Sequence, residues 1–381
     1  MKKACFTLLL IFIFDPVFSQ IQSDSFQKVD SIAQRLSAQE TSTISELIEF
    51  INIHFSSDNE KSRFIYTWMA IHIRYDVDCY LGKNSNPQDV NTVFRFKQGV
   101  CAGYANLFTE LCRRCNIICI RVDGTCSKNY TSSHSWNAFK INDAWALADV
   151  TWAAGGVTDG NEFAPQFTGQ YFRVPPELFI HDHFPDDPMW QLQHQLLTPG
   201  DFSAGNFSRI HVSPQETFHF NDTINQFLSL DSLDREEDSF RRSYAFNPGS
   251  SYLKEGRIST LMRLADKYLS LGDESFNDYF ELKKFAFELP DFFAESEDST
   301  RTLLYTVQTN YNRAVDIYAA IPNSNDANNK AALINNREVI NQRLHYLETE
   351  KKFIANYFSV PQLNRAMVLK SYPQLLKWKE E

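Results

Sequence analysis

No cluster of Lys and Arg with interleaved aromatics occurs in the 381 residues, and the formal net charge is −10. Such a chain offers a nucleic acid nothing to hold, so that partner is excluded. The acidic balance, with a pI near 5.4, serves solubility. After the first twenty residues no apolar run approaches the ~20 residues a membrane-spanning helix requires, so no stable membrane span is expected. The last third of the chain has no fixed period, which argues against a repeat array. No cofactor-binding motif stands out and no cofactor is expected. Cysteine is scarce, at seven residues.

With 43% hydrophobic and 14% aromatic residues, the chain is long enough for a large core and two or three domains. Residues 1–19 read as a signal peptide. Lys2 and Lys3 precede the short apolar run "FTLLLIFIF", and Val17 and Ser19 sit at the −3 and −1 positions of a cleavage site. Export to the periplasm or the extracellular space is the expectation. Helices follow at "STISELIEFI", with Ser42 or Ser45 as the cap, and at Glu60–Asp76. Residues 77–97 read as loop. A helix runs from Cys101 to about Arg114–Asn116, then strands at Cys119–Val122, Ser135–Ile141 and Ala144–Val150. The aromatic, proline-rich "YFRVPPELFIHDHFPDDPMWQL" reads as irregular wrapping. Short strand-like pieces and a charged stretch fill 201–248, and helices fill 250–271, 274–289, 297–319, 326–354 and 358–378. Gly272, Pro290 and Pro322 are the expected breaks. The domain division is 20–204, a connecting segment at 205–248, and an all-α region at 249–381.

"QGVCAGYANLF" places Cys101 just after a glycine, in the first turn of an amphipathic helix. Unpaired N–H groups and the positive end of the helix dipole favour an anion there, which lowers a thiol pKa and makes a nucleophile. A buried small hydrophobe is the plainer reading of the same residue. Downstream, Asn142-Asp143 is a hairpin turn. Around it, residues whose numbers sum to 285 face each other, so Asp149 lies diagonally opposite His134 on the same face of the sheet. Cys101 as thiolate, His134 as base and Asp149 as orienter make a triad. Taken singly, His134 also reads as a strand-end histidine and Asp149 as a cap of the following turn.

The Cys101 N–H is one oxyanion donor, and Gln98 and Gln88 are candidates for a second. Trp136, Trp152 and Tyr104 are candidates for a substrate cleft, although core packing is the default for the tryptophans. If Cys101 is catalytic, five cysteines remain after residue 19, which allows at most two disulfides with one thiol left over. Zinc on Cys112, Cys115, Cys119 and Cys126 is disfavoured by their helix and strand positions; buried thiols, with one disulfide at most, are expected. The histidines and aspartates of "HDHFPDD" (His181, Asp182, His183, Asp186) read as polar caps of a loop rather than as metal ligands.

The blocks "GVCAGYANLF", "HSWNAF" and "WALADVTWAAGG" resemble the transglutaminase-like superfamily, and are most similar to its kyphoscoliosis-peptidase-like branch. "YTWMAIHIRYD" and "YFRVPPELFIHDHFPDDPMWQL" extend the likeness over roughly residues 55–200. Ser135 and Ala153 stand where that family often has Ala and Gly. The resemblance implies an α+β fold: a papain-like core with the Cys101 helix packed on an antiparallel sheet bearing His134 and Asp149, followed by the all-α region. No D-x-D-x-D-G loop is present, so calcium switching of the animal transglutaminase kind is not expected. The function this implies is acyl chemistry on a peptide or protein substrate, foremost as a cysteine peptidase or amidase. The alternatives are protein-glutamine acyl transfer and a binding or assembly protein that keeps the fold. The helical region is a candidate surface for a protein partner.

Overall fold

The computed structural model describes residues 16–36, 41–127, 132–207, 217–288, 293, 296–324 and 326–371. Most of the leader read at residues 1–19 lies outside them. The chain forms two compact units, residues 1–226 and 227–381.

In the first unit, helix α1 (Pro16–Arg35) precedes α2 (Ile44–His54) and α3 (Asp58–His72). Capping boxes start α2 and α3. Thr43 rather than Ser42 or Ser45 caps α2, with Glu46 closing the box, and Ser57 and Glu60 do the same for α3. α3 buries Phe64, Ile65, Trp68 and Met69 at the centre of the core. Its Arg63 is also buried and binds the Asp30 carboxylate of α1 with two N–H groups. β1 (Arg74–Tyr75), α4 (Val77–Tyr80), α5 (Val90–Phe96) and β2 (Gln98–Gly99) follow, so the stretch expected to be loop carries two short helices. Asp76 and Asp89 cap them, a local signal that is easily read as loop chemistry.

Helix α6 (Cys101–Arg114) then packs on a sheet formed by β3 (Cys119–Thr125), β4 (Ser133–Ile141) and β5 (Ala144–Ala148). Asn142 and Asp143 both have positive φ, 47° and 65°, as a two-residue hairpin turn of type I′ requires. That turn sets the register: Asn137 pairs with Ala148 and Ile141 with Ala144. β5 leads into α7 (Val150–Ala154), then the small hairpin β6 (Gly155–Val157) and β7 (Phe163–Pro165).

The proline-rich stretch is more regular than its composition suggests. It supplies β8 (Phe172–Val174), helix α8 (Pro176–Phe179) and β9 (Phe184–Pro185). β8 and β9 close the two edges of a five-stranded sheet of order β8-β5-β4-β3-β9. Edge strands tolerate proline because one row of their backbone groups needs no partner. β9 reaches β3 because residue 124 is glycine: a Cβ there would lie 2.2 Å from the Phe184 carbonyl oxygen. α9 (Pro199–Ala204) and α10 (Phe220–Ser229) follow.

The second unit is helical among its described residues: α11 (Ser232–Phe246), α12 (Ser251–Glu288), α13 (Glu297–Ala320), α14 (Ala327–Ser359) and α15 (Arg365–Lys370). Helices α10 and α11 replace the strand-like pieces expected over 201–248. Gly272 does not break α12. A glycine inside a helix costs about 1 kcal/mol relative to alanine, yet here it makes a notch for the Tyr311 ring, whose hydroxyl donates to Asp273 at 2.7 Å. A Cβ at Gly272 would fall 2.3 Å from that ring. Gly272→Val should therefore destabilise the second unit by about 1–3 kcal/mol through overpacking. Faster hydrogen exchange in α12 and α13 is the readout, and exchange equal to that of the unaltered chain would refute the notch. Among the described residues, no helix is long and apolar enough to cross a membrane.

Candidate active site

The site is built on the start of α6. Val100 caps the helix without a side-chain bond, so the first N–H groups after it have no capping oxygen from that residue. Cys101 is the first helical residue and is half-buried. Burial raises its thiol pKa, but a hydrogen bond to His134, the charge of that ring and the Ser135 backbone pull it below the usual value. α6 is pinned to β4 by Asn137, which donates to Ala105 O at 3.0 Å and to Thr109 Oγ1 at 2.9 Å. That side chain is buried and serves the helix–sheet joint.

His134 lies near the start of β4 and Asp149 at the end of β5. His134 Nε2 donates to Asp149 Oδ2 at 2.7 Å, and both residues are buried. With Nε2 engaged, Nδ1 is the ring nitrogen left for the Cys101 thiol. Burial disfavours the His134 charge, but Asp149 and Cys101 outweigh it and hold the pKa at about 10. Burial likewise opposes ionisation of Asp149, and its bonds to His134 and His183 overcome that, keeping its pKa below the ordinary carboxylate range.

The plainer reading of Asp149 also holds. Its Oδ1 caps α7, accepting from Thr151 N at 2.8 Å and Trp152 N at 3.1 Å. One oxygen is fixed by the backbone, which aims the other at His134.

Sequence reasoning did not place His183 here. Its ring is buried, with Nε2 3.0 Å from Asp149 Oδ2 and Nδ1 2.6 Å from Asp182 Oδ1. Phe179 stacks on it at 4.0 Å and Trp152 lies at 4.5 Å. The signal in the chain was the "HDH" of 181–183, but nothing local says which histidine turns inward. His181 instead meets Phe207 at 4.2 Å.

His134, Asp149 and His183 bring three donor atoms within 4.8 Å of one another, as a metal site would. The donor chemistry does not fit one. Both Nε2 atoms face the same carboxylate oxygen at hydrogen-bond distance. A carboxylate supplies no proton, so each nitrogen carries one and has no lone pair for a cation. Asp186 lies apart from this cluster, with its backbone N–H on Asp123 O. Burial and the neighbouring Asp123 and Asp187 push its pKa up to about 7.

The cleft candidates divide. Tyr104 and Trp136 are each 1% exposed, and the Tyr104 hydroxyl donates to Ile73 O. Both are core residues, which corrects the cleft assignment. Trp152 is half-buried, with its ring 5.5 Å from that of His134. Gln88 supports the start of α6: its Oε1 accepts from Val100 N at 2.8 Å, and its amide donates to Asn86 O and toward Cys79 Sγ. Gln98 is exposed on β2. Cys79, Cys101, Cys112, Cys115 and Cys119 are free thiols, and among the described residues no metal-ligating group includes a cysteine.

Residues 52–150 match the family model of the transglutaminase-like superfamily. They form a transglutaminase-like domain. The chain is 34% identical to mouse kyphoscoliosis peptidase over 178 residues, which is 44% of this chain and 26% of that protein. The human kyphoscoliosis peptidase is 33% identical over the same shares. The Lim and transglutaminase domain protein ltd-1 of Caenorhabditis elegans is 26% identical over 52% of this chain and 29% of its own length. The chain thus spans about a quarter of the curated relatives it matches. Within the transglutaminase-like domain lie Cys101, His134 and Asp149; His183 lies beyond the matched residues.

Proposed function

We propose that this protein performs thiol-dependent acyl chemistry on peptide or amide bonds, with Cys101 as nucleophile, His134 as general base and acid, and Asp149 as the group that orients and charges His134. The observation that supports this most is the chain of contacts itself. The His134 imidazole bonds a buried, fully engaged carboxylate through Nε2, and its charge lowers the pKa of the Cys101 thiol at the helix start. The thiolate attacks the carbonyl carbon, and the oxyanion forms beside the Cys101 N–H. His134 gives its proton to the leaving amine as the C–N bond breaks, leaving a thioester. Water, deprotonated by His134, then attacks the thioester, and the acid and the thiol are released.

Hydrolysis is preferred to amine transfer. Water at ~55 M takes the acyl group unless a closed apolar cleft holds it off. Two of the three aromatic wall candidates are in the core. The kyphoscoliosis relatives carry the word peptidase in their names, which agrees with this choice. Export, read from the leader, and partner binding by the helical unit complete the proposal.

The test is alkylation and turnover. Iodoacetamide at pH 6 should modify Cys101 well before the other cysteines, because the His134 imidazolium holds the thiolate. The rate should already be high in weak acid, because the Cys101 thiol ionises below the ordinary thiol range, and loss of the His134 proton at higher pH leaves the thiolate in place. Peptide mapping by mass spectrometry reads the order. First labelling at Cys112 or Cys115 would sink the assignment. A peptide library should be cleaved in a Cys101-dependent way. Robust incorporation of a fluorescent amine into glutamine peptides without cleavage would move the reading to acyl transfer. Silence in every assay would favour a binding protein that keeps the fold.

A further inference from the structure

His183 plays no part in the steps above, yet its contacts are as specific as those of His134. It precedes β9, the strand that pairs with β3 through Gly124 and Thr125, and Gly124 in turn faces His134 across the sheet. This route brings a residue 34 positions further along the chain onto the Asp149 carboxylate.

Both ring nitrogens of His183 meet carboxylates, Asp149 at 3.0 Å and Asp182 at 2.6 Å. Carboxylates only accept hydrogen bonds, so a ring held between two of them needs a proton on each nitrogen. The ring is walled by Phe179, Trp152 and Trp136, whose ring centroids lie 4.0, 4.5 and 5.1 Å away.

We propose that His183 is a positioning residue: a buried imidazolium clamped between Asp182 and Asp149, which locks Asp149 toward His134 and sets the pH range over which the Cys101–His134 pair is charged. This rests on the thiol reading of the site and deepens it. Burial opposes the His183 charge, but Asp182 and Asp149 override it and raise the pKa.

The groups that face this ring come from several elements. Asp182 lies on its own loop, Asp149 at the cap of α7, His134 on β4, and Tyr171, at 6.2 Å, ahead of β8. Cys101 on α6 lies behind His134. His134 and His183 share one oxygen, Asp149 Oδ2. A positive charge on the far side of that carboxylate weakens its hold on the His134 proton and favours the thiolate. Without it, the thiol and the imidazolium both give up their protons at higher pH.

The experiment compares the full chain with His183→Gln and His183→Phe. Gln can donate to Asp149 without a charge, whereas Phe fills the aromatic box and does neither. The pH profile of Cys101 alkylation by iodoacetamide is read by peptide mapping, with thermal melts as the check on folding. His183→Gln should move the acid limb up by about one pH unit while keeping the plateau rate. His183→Phe should lower the plateau about tenfold. Unchanged profiles in both variants would overturn the proposal. Independently, ring-15N-labelled histidine in the unaltered chain should show both His183 nitrogens protonated at neutral pH, the signal being assigned by its loss in His183→Gln. A bare nitrogen on that ring would overturn the clamp whatever the labelling shows. Inert Cys101 at every pH, with His183 doubly protonated, would instead overturn the thiol reading and leave the clamp standing.

Discussion

Asp149→Asn should slow alkylation of Cys101 at pH 6 by about a hundred- to a thousandfold and remove turnover, while the chain stays folded. Asp149 Oδ1 accepts two backbone N–H groups of α7, and Oδ2 accepts from His134 and His183. An asparagine that keeps its oxygen on the backbone must turn its NH2 toward the two imidazoles, so donors would face donors. His134 relieves the clash by moving its proton to the nitrogen that meets the thiol. It then cannot take the thiol proton, and the charge that held the thiolate is gone. In a serine triad the same exchange costs about 10⁴ in turnover through the wrong tautomer. For alkylation the loss follows the thiolate fraction, because a thiol returned to pKa ~8.5 or above is almost wholly protonated at pH 6. Mass-mapped labelling with time measures it. A wild-type rate at Cys101 in Asp149→Asn would show that the carboxylate does not control the pair.

Lys283→Met should destabilise the helical unit by about 3–5 kcal/mol, the usual result of removing one partner from a buried ion pair. Lys283 Nζ lies 2.8 Å from Glu350 Oε2, joining α12 to α14, and each side chain is 1% exposed. Tyr279 donates to the same oxygen at 2.6 Å. Without the ammonium, which lies 4.5 Å from the Phe353 ring centroid, buried Glu350 keeps one hydroxyl and an uncompensated charge. The double variant Lys283→Met, Glu350→Leu should recover most of the loss, since an apolar pair of similar volume is often as stable as a buried ion pair. Hydrogen exchange in α12 and α14 separates this effect from unfolding of the first unit. Equal exchange in the single variant and the unaltered chain would mean the pair contributes nothing.

These two sites differ in how far they could be read in advance. The His134–Asp149 relation was legible because a two-residue Asn-Asp turn admits one register, and side chains alternate on a strand, so one turn fixes which residues share a face. Cys101 at a helix start was legible from the glycine before it and the apolar spacing after it. The Lys283–Glu350 pair was not, because its members lie 67 residues apart on helices whose mutual packing no local pattern states. Tyr104 shows the same limit from the other side. Its place on the apolar face of α6 was clear, but whether that face met a substrate or the core depended on Ile73, whose carbonyl takes its hydroxyl.

By itself, the sequence determined the helix that begins at Cys101, the β4–β5 hairpin with its register, the transglutaminase-like motif blocks and the change to helical patterning in the later part of the chain. Each is written in neighbours a few residues apart, where turn geometry and side-chain periodicity act. The tertiary structure alone decided that β8 and β9 close the sheet, that Gly272 seats Tyr311 inside an unbroken helix, that Gln88 supports the start of α6, and that His183 rather than His181 turns onto Asp149. Those outcomes rest on contacts between segments tens of residues apart. Burial and hydrogen-bond satisfaction choose among residues there that look alike in the chain: the two histidines of "HDH" have equal chemistry, and only the position of Asp149 at the end of β5 separates them.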